Sequence, residues 1–298
     1  MLRIGIIGAD NFHALAFSKL ANLPPEEGGL GLPARVTMLC GESPQRTAFV
    51  AGEAHIPTIV DDATQMLGHV DAVMVVLRHG AQHCKAALPF LQRGIATWVD
   101  KPFAIDLNEA RCMVDTAKAS GAILAGGSTC KYAPDVLALR DEFHRLGGMD
   151  RVISAHLNFP GELDSPYGGL YFYGGHAAEI LTTVFGPHIQ SVKADVTGGN
   201  VIAIFKYKTF AVSVNFAEVC HFYGTLYSTE QVITHPIDIS TIYRQGFSAF
   251  VKGILEGRTP EPLHTLLEPV CILNALVQAA QTGLETPVQP LPNQYLYH

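Results

Sequence analysis

Charge is scarce in this sequence. Asp, Glu, Lys and Arg together make up 16% of 298 residues, against about 25% in an average soluble protein. Much of the surface is therefore expected to be covered, and a homodimer or homotetramer is the first inference. No run of Lys or Arg occurs and the net charge is -7, so there is no cationic footprint for a phosphodiester backbone or an anionic bilayer. Nucleic acid and membrane are not expected partners. No uninterrupted apolar stretch approaches the roughly 20 residues of a spanning helix. The apolar run from Ile4 to Ala9 is ended by Asp10 and Asn11, too early for a signal-peptide core, which gives the expectation of a cytoplasmic protein. Cysteine is thin as well. Cys40, Cys84, Cys112, Cys130, Cys220 and Cys271 stand singly with no CxxC pair in a chain too long to need staples, and are expected to be reduced and mostly buried.

What is abundant is apolar residues, 48% of the chain, arranged in two different patterns. Up to residue 126, short β-rich runs alternate with amphipathic stretches, the pattern of a doubly wound parallel sheet of Rossmann type. Strands are predicted at Leu2 to Ile7, Arg35 to Cys40, Thr58 to Val60, Asp71 to Leu77, Ile95 to Val99 and Ala122 to Ala125. Helices are predicted near 12–22, 44–53, 62–68, 80–93 and 106–120. From 127 to 298 the pattern is that of a second, α+β domain with a large, mainly antiparallel sheet, because Val201 to Tyr207 and Phe210 to Ala217 alternate strictly. Val212, Val214 and Phe216 are expected on an open sheet face that a second copy would cover. Two helices close the chain, near 243–256 and 266–282, the latter with a capping box Thr265-x-x-Glu268 and a stop at Gly283.

The first strand runs into Gly8-Ala9-Asp10-Asn11-Phe12-His13, where a dinucleotide fold carries G-x-G-x-x-G. Only the first glycine is present. A carboxylate at Asp10 about 5 Å from a phosphate would cost about 3 kcal/mol at an effective dielectric near 20, roughly two decades of affinity. Asp10 is also suited to capping the following helix, which would occupy the same amides. Glu42, after the second strand, is one candidate to bind ribose hydroxyls, although a solvated loop glutamate explains it more simply. With Gly41 and no neighbouring arginine, NAD is preferred over NADP. A metal-binding alternative also arises, because Asp10, His13, His79 and His83 would lie at the carboxyl edge of adjacent strands.

Further along, Trp98-Val99-Asp100-Lys101-Pro102-Phe103 follows the fifth strand, preceded by His83-x3-Ala87-Leu88-x2-Leu91-x2-Gly94. In the second half come Gly168-Gly169, Gly174-x-His176-x2-Glu179 and Phe185-Gly186. In this order and spacing the chain resembles the glucose-fructose oxidoreductase, inositol dehydrogenase and MocA (Gfo/Idh/MocA) family. The resemblance implies an NAD(P)-dependent oxidoreductase that moves a hydride to or from a secondary alcohol of a sugar, polyol or related small molecule. It implies Lys101 and His176 as the catalytic pair, the ammonium stabilising an alkoxide and the imidazole taking the hydroxyl proton. Cofactor contacts are expected from Gly8, Ala9, Asn11, Phe12, Glu42, Leu77, His83, Asp100 and Lys101, with weakened binding because of the altered turn. The catalytic aspartate of the family falls at Phe172, four residues before His176 on one helix face. This departure leaves open an inactive relative that binds a small ligand without turnover. The mixed polarity of His156, Asn158, Glu162, Asp164, Tyr167 and Tyr171 suits a polyhydroxylated substrate.

Overall fold

Near-continuous apolar runs in the first part of the chain form strands buried on both faces. The computed structural model describes residues 1–217 and 221–295. Strands β1 (Leu2–Ile7), β2 (Ala34–Cys40), β3 (Thr58–Ile59), β4 (Ala72–Val75), β5 (Ala96–Val99) and β6 (Leu124–Gly126) pair in parallel in the order β3-β2-β1-β4-β5-β6. Ile4, Ile6, Val73, Val75, Trp98 and Val99 are fully inaccessible. The crossovers are α1 (Phe12–Asn22), α2 (Pro44–Glu53), α3 (His83–Leu91) and α4 (Leu107–Ser120). Strand order reverses between β1 and β4, so the turns after these two strands form the edge where such sheets take ligands. The helix predicted at 62–68 is instead a single 3₁₀ turn, Ala63–Met66, started by the Asp62 carboxylate on the Thr64 amide.

The chain divides into two units. The first comprises Met1–Ala104, Asn108–Gly127 and Tyr243–Leu266, and the second holds Ile105–Leu107, Ser128–Ile242 and the chain from Leu267 onward. This corrects the division at 126 in one respect, because α7 (Ile242–Glu256) returns to the first unit. Its aromatic residues at 243, 247 and 250 form one stripe of the helix. Tyr243 meets Phe17 at 5.6 Å between ring centroids, Phe247 meets Phe17 at 6.2 Å, and Phe250 meets Trp98 at 5.9 Å.

The second unit is built on β7 (Val152–Pro160), β8 (Ser191–Thr197), β9 (Asn200–Lys206), β10 (Ala211–Ala217), β11 (Tyr223–Ser228), β12 (Val232–Pro236) and β13 (Thr286–Pro287), in the order β12-β11-β7-β10-β9-β8-β13. All described pairs are antiparallel except β10 with β7. Its helices are α5 (Pro134–Arg145), α6 (Tyr171–Phe185) and α8 (Glu268–Thr282), with α5 against α6, α6 against α8, and α8 laid along β8 and β9. Val212, Val214 and Phe216 lie on the covered face, at most 1% exposed. The expectation that they form an open face is therefore wrong. The opposite face shows Ile202 and Ile204 beside Ser213 and Asn215.

The capping box at Thr265 does not form. Its hydroxyl donates to the Pro262 carbonyl within a 3₁₀ turn, and α8 begins after Leu267 without a side-chain cap. Gly283 ends α8 in the left-handed conformation at φ 67°. Contrary to the sequence reading, Leu263–Thr282 is long and apolar enough by length and composition to span a bilayer. Its apolar surface is used internally, since Val270, Ile272, Leu273, Leu276 and Ala279 are buried.

Candidate functional site

Gly8 ends β1 at φ +105°, and a Cβ there would meet Leu77 N at 2.8 Å and Val76 C at 2.9 Å. The glycine is required by the approach of β4, whatever binds at the turn. After it the Ala9 amide donates to Glu42 Oε2 at 2.8 Å, so the carboxylate expected at a ribose is anchored to the turn. Asn11, not Asp10, is the cap of α1: its Oδ1 accepts from the His13 amide at 3.2 Å. Asp10 therefore does not compete for the helix amides in the way expected. Phe12 follows with 59% exposure.

Two guanidinium groups flank this turn. Arg46 Nε donates to the Ala9 carbonyl at 3.2 Å and its guanidinium lies 5.0 Å over the Phe49 ring. Arg78, just beyond β4, donates to the Asp10 carbonyl at 2.7 Å. The statement that no arginine neighbours Gly41 is thus corrected. Arg46 stands in the first turn of α2, five residues after Gly41, and Arg78 directly follows the strand expected at Asp71 to Leu77. These cations place positive charge beside a turn that carries the Asp10 carboxylate.

At the end of β5, Asp100 and Lys101 are 0% and 2% exposed. His13 Nδ1 lies 2.5 Å from Asp100 Oδ2, and Asn11 Nδ2 donates to the same oxygen at 3.4 Å. Burial pushes the Asp100 carboxyl up, but the charge and hydrogen bond of His13, then the charges of Lys101 and His83, bring it below its usual value. His83 is wholly buried, with Nε2 2.8 Å from the Leu77 carbonyl and Nδ1 3.4 Å from that of Phe103. Burial holds its pKa below the usual value. It thereby braces Leu77 against the loop after β5.

This arrangement overturns the metal alternative. His79 Nδ1 accepts from the Ala81 amide, His83 faces two carbonyls, and His13 is held by Asp100. Among the described residues no group of three or more His, Cys, Asp or Glu side chains gathers as a metal would need.

In the second unit His176 lies on α6, 8% exposed. Its helix runs close to α8, because a Cβ at Gly174 would meet Leu273 Cδ1 at 2.8 Å. His176 Nδ1 is 2.7 Å from Ser128 Oγ and 3.4 Å from Cys130 Sγ. Phe172 instead packs with Tyr167 at 5.3 Å and Tyr173 at 4.9 Å. The orienting partner of the histidine is thus a hydroxyl, which serves either ring tautomer, where a carboxylate would only accept. Glu179, one turn on, accepts from the Ser128 amide at 3.1 Å and pairs with buried Lys131 at 3.5 Å. Ser128 and Lys131 belong to no spaced motif and were not foreseen from the sequence, and Glu268 was expected only as the end of a capping box. Burial, and then the charge of Glu179, push the Glu268 carboxyl up to about 7.

Among the suggested substrate residues, His156 bonds Ser213 at 2.9 Å, Asn158 accepts from Asn215 at 2.8 Å, and Tyr171 donates to Asn274 at 3.0 Å. His156 and Asn158 belong to a polar ladder on the open sheet face. Five cysteines are free: Cys84, Cys130 and Cys271 are buried, Cys40 is half-buried and Cys112 exposed, while Cys220 lies outside the described residues. A cavity of about 540 Å³ in this unit is lined by Pro187, Gln190, Glu268, Ile272 and Leu291 among others.

Comparison with known proteins completes the description. Residues 2–128 match the family model described as oxidoreductase family, NAD-binding Rossmann fold (Gfo/Idh/MocA). A scyllo-inositol 2-dehydrogenase (NADP(+)) of Bacillus subtilis is 23% identical over 133 residues, which span 44% of this chain and only 40% of that relative. Myo-inositol dehydrogenase from Lactobacillus casei, solved with NAD(H) and myo-inositol, superposes with a TM-score of 0.82 at 13% identity, covering 99% of each chain. Scyllo-inositol dehydrogenase from the same organism, solved with NAD(H) and scyllo-inositol, gives 0.79 at 14% identity, covering 97% of this chain and 99% of that one. At such identities these structures show a shared fold.

Proposed function

We propose that the chain, whose residues 2–128 match the Gfo/Idh/MocA model, belongs to that oxidoreductase family and is an NAD(P)-dependent dehydrogenase acting on a secondary alcohol of a sugar, polyol or related small molecule. The observation that carries this reading is the buried Asp100-Lys101 step at the end of β5, beside a turn flanked by Arg46 and Arg78. Lys101 shares its burial with Asp100, whose carboxyl its charge helps to hold below the usual value, and both stand at the ligand edge of the sheet. The donor set fits a dinucleotide: Glu42 for ribose hydroxyls, the two guanidinium groups for phosphate charge, and Ala9, Asn11, Phe12 and Leu77 along the edge.

A bound nicotinamide supplies the hydride acceptor or donor. By the resemblance, Lys101 is the group that would stabilise negative charge on a substrate oxygen, and His176, whose ring is oriented by Ser128, is the one that would take a hydroxyl proton. Arg46 also offers a cation for a 2′-phosphate, and the curated relative is named for NADP(+), so cofactor preference is read directly by comparing the two dinucleotides. Phe172, in place of a carboxylate, favours a second reading in which the ligand is bound without turnover. Self-association through the open sheet face, where Ile202 is 56% exposed, is part of the same proposal.

Titration with NADH and NADPH, followed by nicotinamide fluorescence, is the test. Saturable enhancement with one or both supports the reading, and oxidation of an inositol or hexose panel then separates enzyme from binder. Absence of binding to both at millimolar concentration would sink it.

A further inference from the structure

Two departures from the expected dinucleotide pattern meet in space. His13 occupies the third glycine position of the β1–α1 turn, and Asp100-Lys101-Pro102 resembles a Glu-Lys-Pro motif of the Gfo/Idh/MocA family with aspartate in place of the glutamate. They lie far apart in sequence, yet His13 Nδ1 and Asp100 Oδ2 approach to 2.5 Å with 6% and 0% exposure. The ring is boxed by Tyr243 at 4.8 Å and Phe17 at 6.3 Å. Asn11 completes the link, taking the His13 amide on Oδ1 while Nδ2 reaches the same Asp100 oxygen. The Asp100 amide is fixed on the Val75 carbonyl of β4. Turn, strand end and the Lys101 segment are thus tied into one cluster.

A third glycine normally lets the helix pack closely on its strand. An imidazole there needs room and a polar partner, and a carboxylate one methylene shorter than glutamate leaves room where the ring enters. Each substitution alone would strand its partner: without Asp100 the buried ring loses its acceptor, and without His13 the buried carboxylate loses its nearest hydrogen-bond donor. We propose that His13 and Asp100 are a matched pair of positioning residues, which together hold the cofactor turn and the Lys101 segment in register in place of the glycine and glutamate. This rests on the dehydrogenase reading only for its ligand.

The test is a double-variant cycle. His13→Gly, Asp100→Glu and the combination are titrated with whichever of NADH and NADPH the unaltered protein binds, and each is melted thermally without ligand. Each single change is expected to weaken binding at least tenfold, and the combination to recover to within about threefold of the starting protein. His13→Gln, which keeps a donor for Asp100, is expected to bind within about threefold, and His13→Leu to lose as much as His13→Gly. Losses that multiply in the combination, or singles that bind normally, would overturn the pairing. Should the unaltered protein bind neither dinucleotide, the functional reading fails, and the pairing is decided by the melts alone: recovery in the combination supports it and additive loss overturns it.

Discussion

Glu268→Gln is expected to stabilise the protein at alkaline pH and to do little in acid. The carboxyl sits in the first turn of α8, where burial, and secondly the charge of Glu179, raise it from 4.5 to about 7. With the folded value above the unfolded one, the folded state holds the extra proton between them. Stability is therefore fully present below about pH 4.5 and declines as pH rises through 7. The full displacement corresponds to about 3 kcal/mol. Glu268 is only half-buried, so solvent screening reduces this to about 1.5 kcal/mol. Glutamine has nearly the same shape and never ionises. Thermal melts at pH 8 should therefore rise by about 2 to 3 °C, and at pH 5 by less than about 1 °C. An equal rise at both pH values would show that the gain has nothing to do with ionisation. A fall at pH 8 would show that neighbouring groups need the carboxylate, and the reasoning would be wrong.

Lys101→Ala and His176→Ala should each reduce turnover of an identified substrate at least about a hundredfold, measured by NADH absorbance; normal rates in either would remove that residue from the mechanism. Asp10→Gly should tighten dinucleotide binding by about tenfold. This is less than charge alone would give, because Arg78 already stands at the Asp10 carbonyl, and unchanged affinity would show the carboxylate turned away. In light scattering the protein should exceed its 32.1 kDa chain mass, and Ile202→Asp, which places charge on the open sheet face, should shift it towards that value. A monomeric starting protein would refute the contact.

Strands β4, β5 and β6 were legible because burial on both faces writes them as apolar runs, whereas the two exposed residues of β3 carry no such signal. The covered face of the second sheet was not. Strict alternation shows that Val212, Val214 and Phe216 share a face but cannot tell whether helices or another copy cover it. Lys101 and His176 could be named from spacing, whereas Ser128 could not. Its hydroxyl acts through a contact with residue 176 that no local pattern encodes. The pairing of His13 with Asp100 was hidden for the same reason, and each appeared alone as a defect in a motif.

The return of α7 to the first unit bears on how the chain is made. Phe17 and Trp98 leave the ribosome long before Tyr243, Phe247 and Phe250 exist to cover them. At about 5 to 20 residues per second, that cover arrives roughly 7 to 30 s after Trp98. During this interval the parallel sheet carries an exposed aromatic surface while the whole second unit except its last helix and tail is being synthesised. The nascent protein is thus most open to chaperones, and to aggregation, from about one third of its 298 residues until more than four fifths are translated, and a fragment ending at Gly127 would remain in that state permanently.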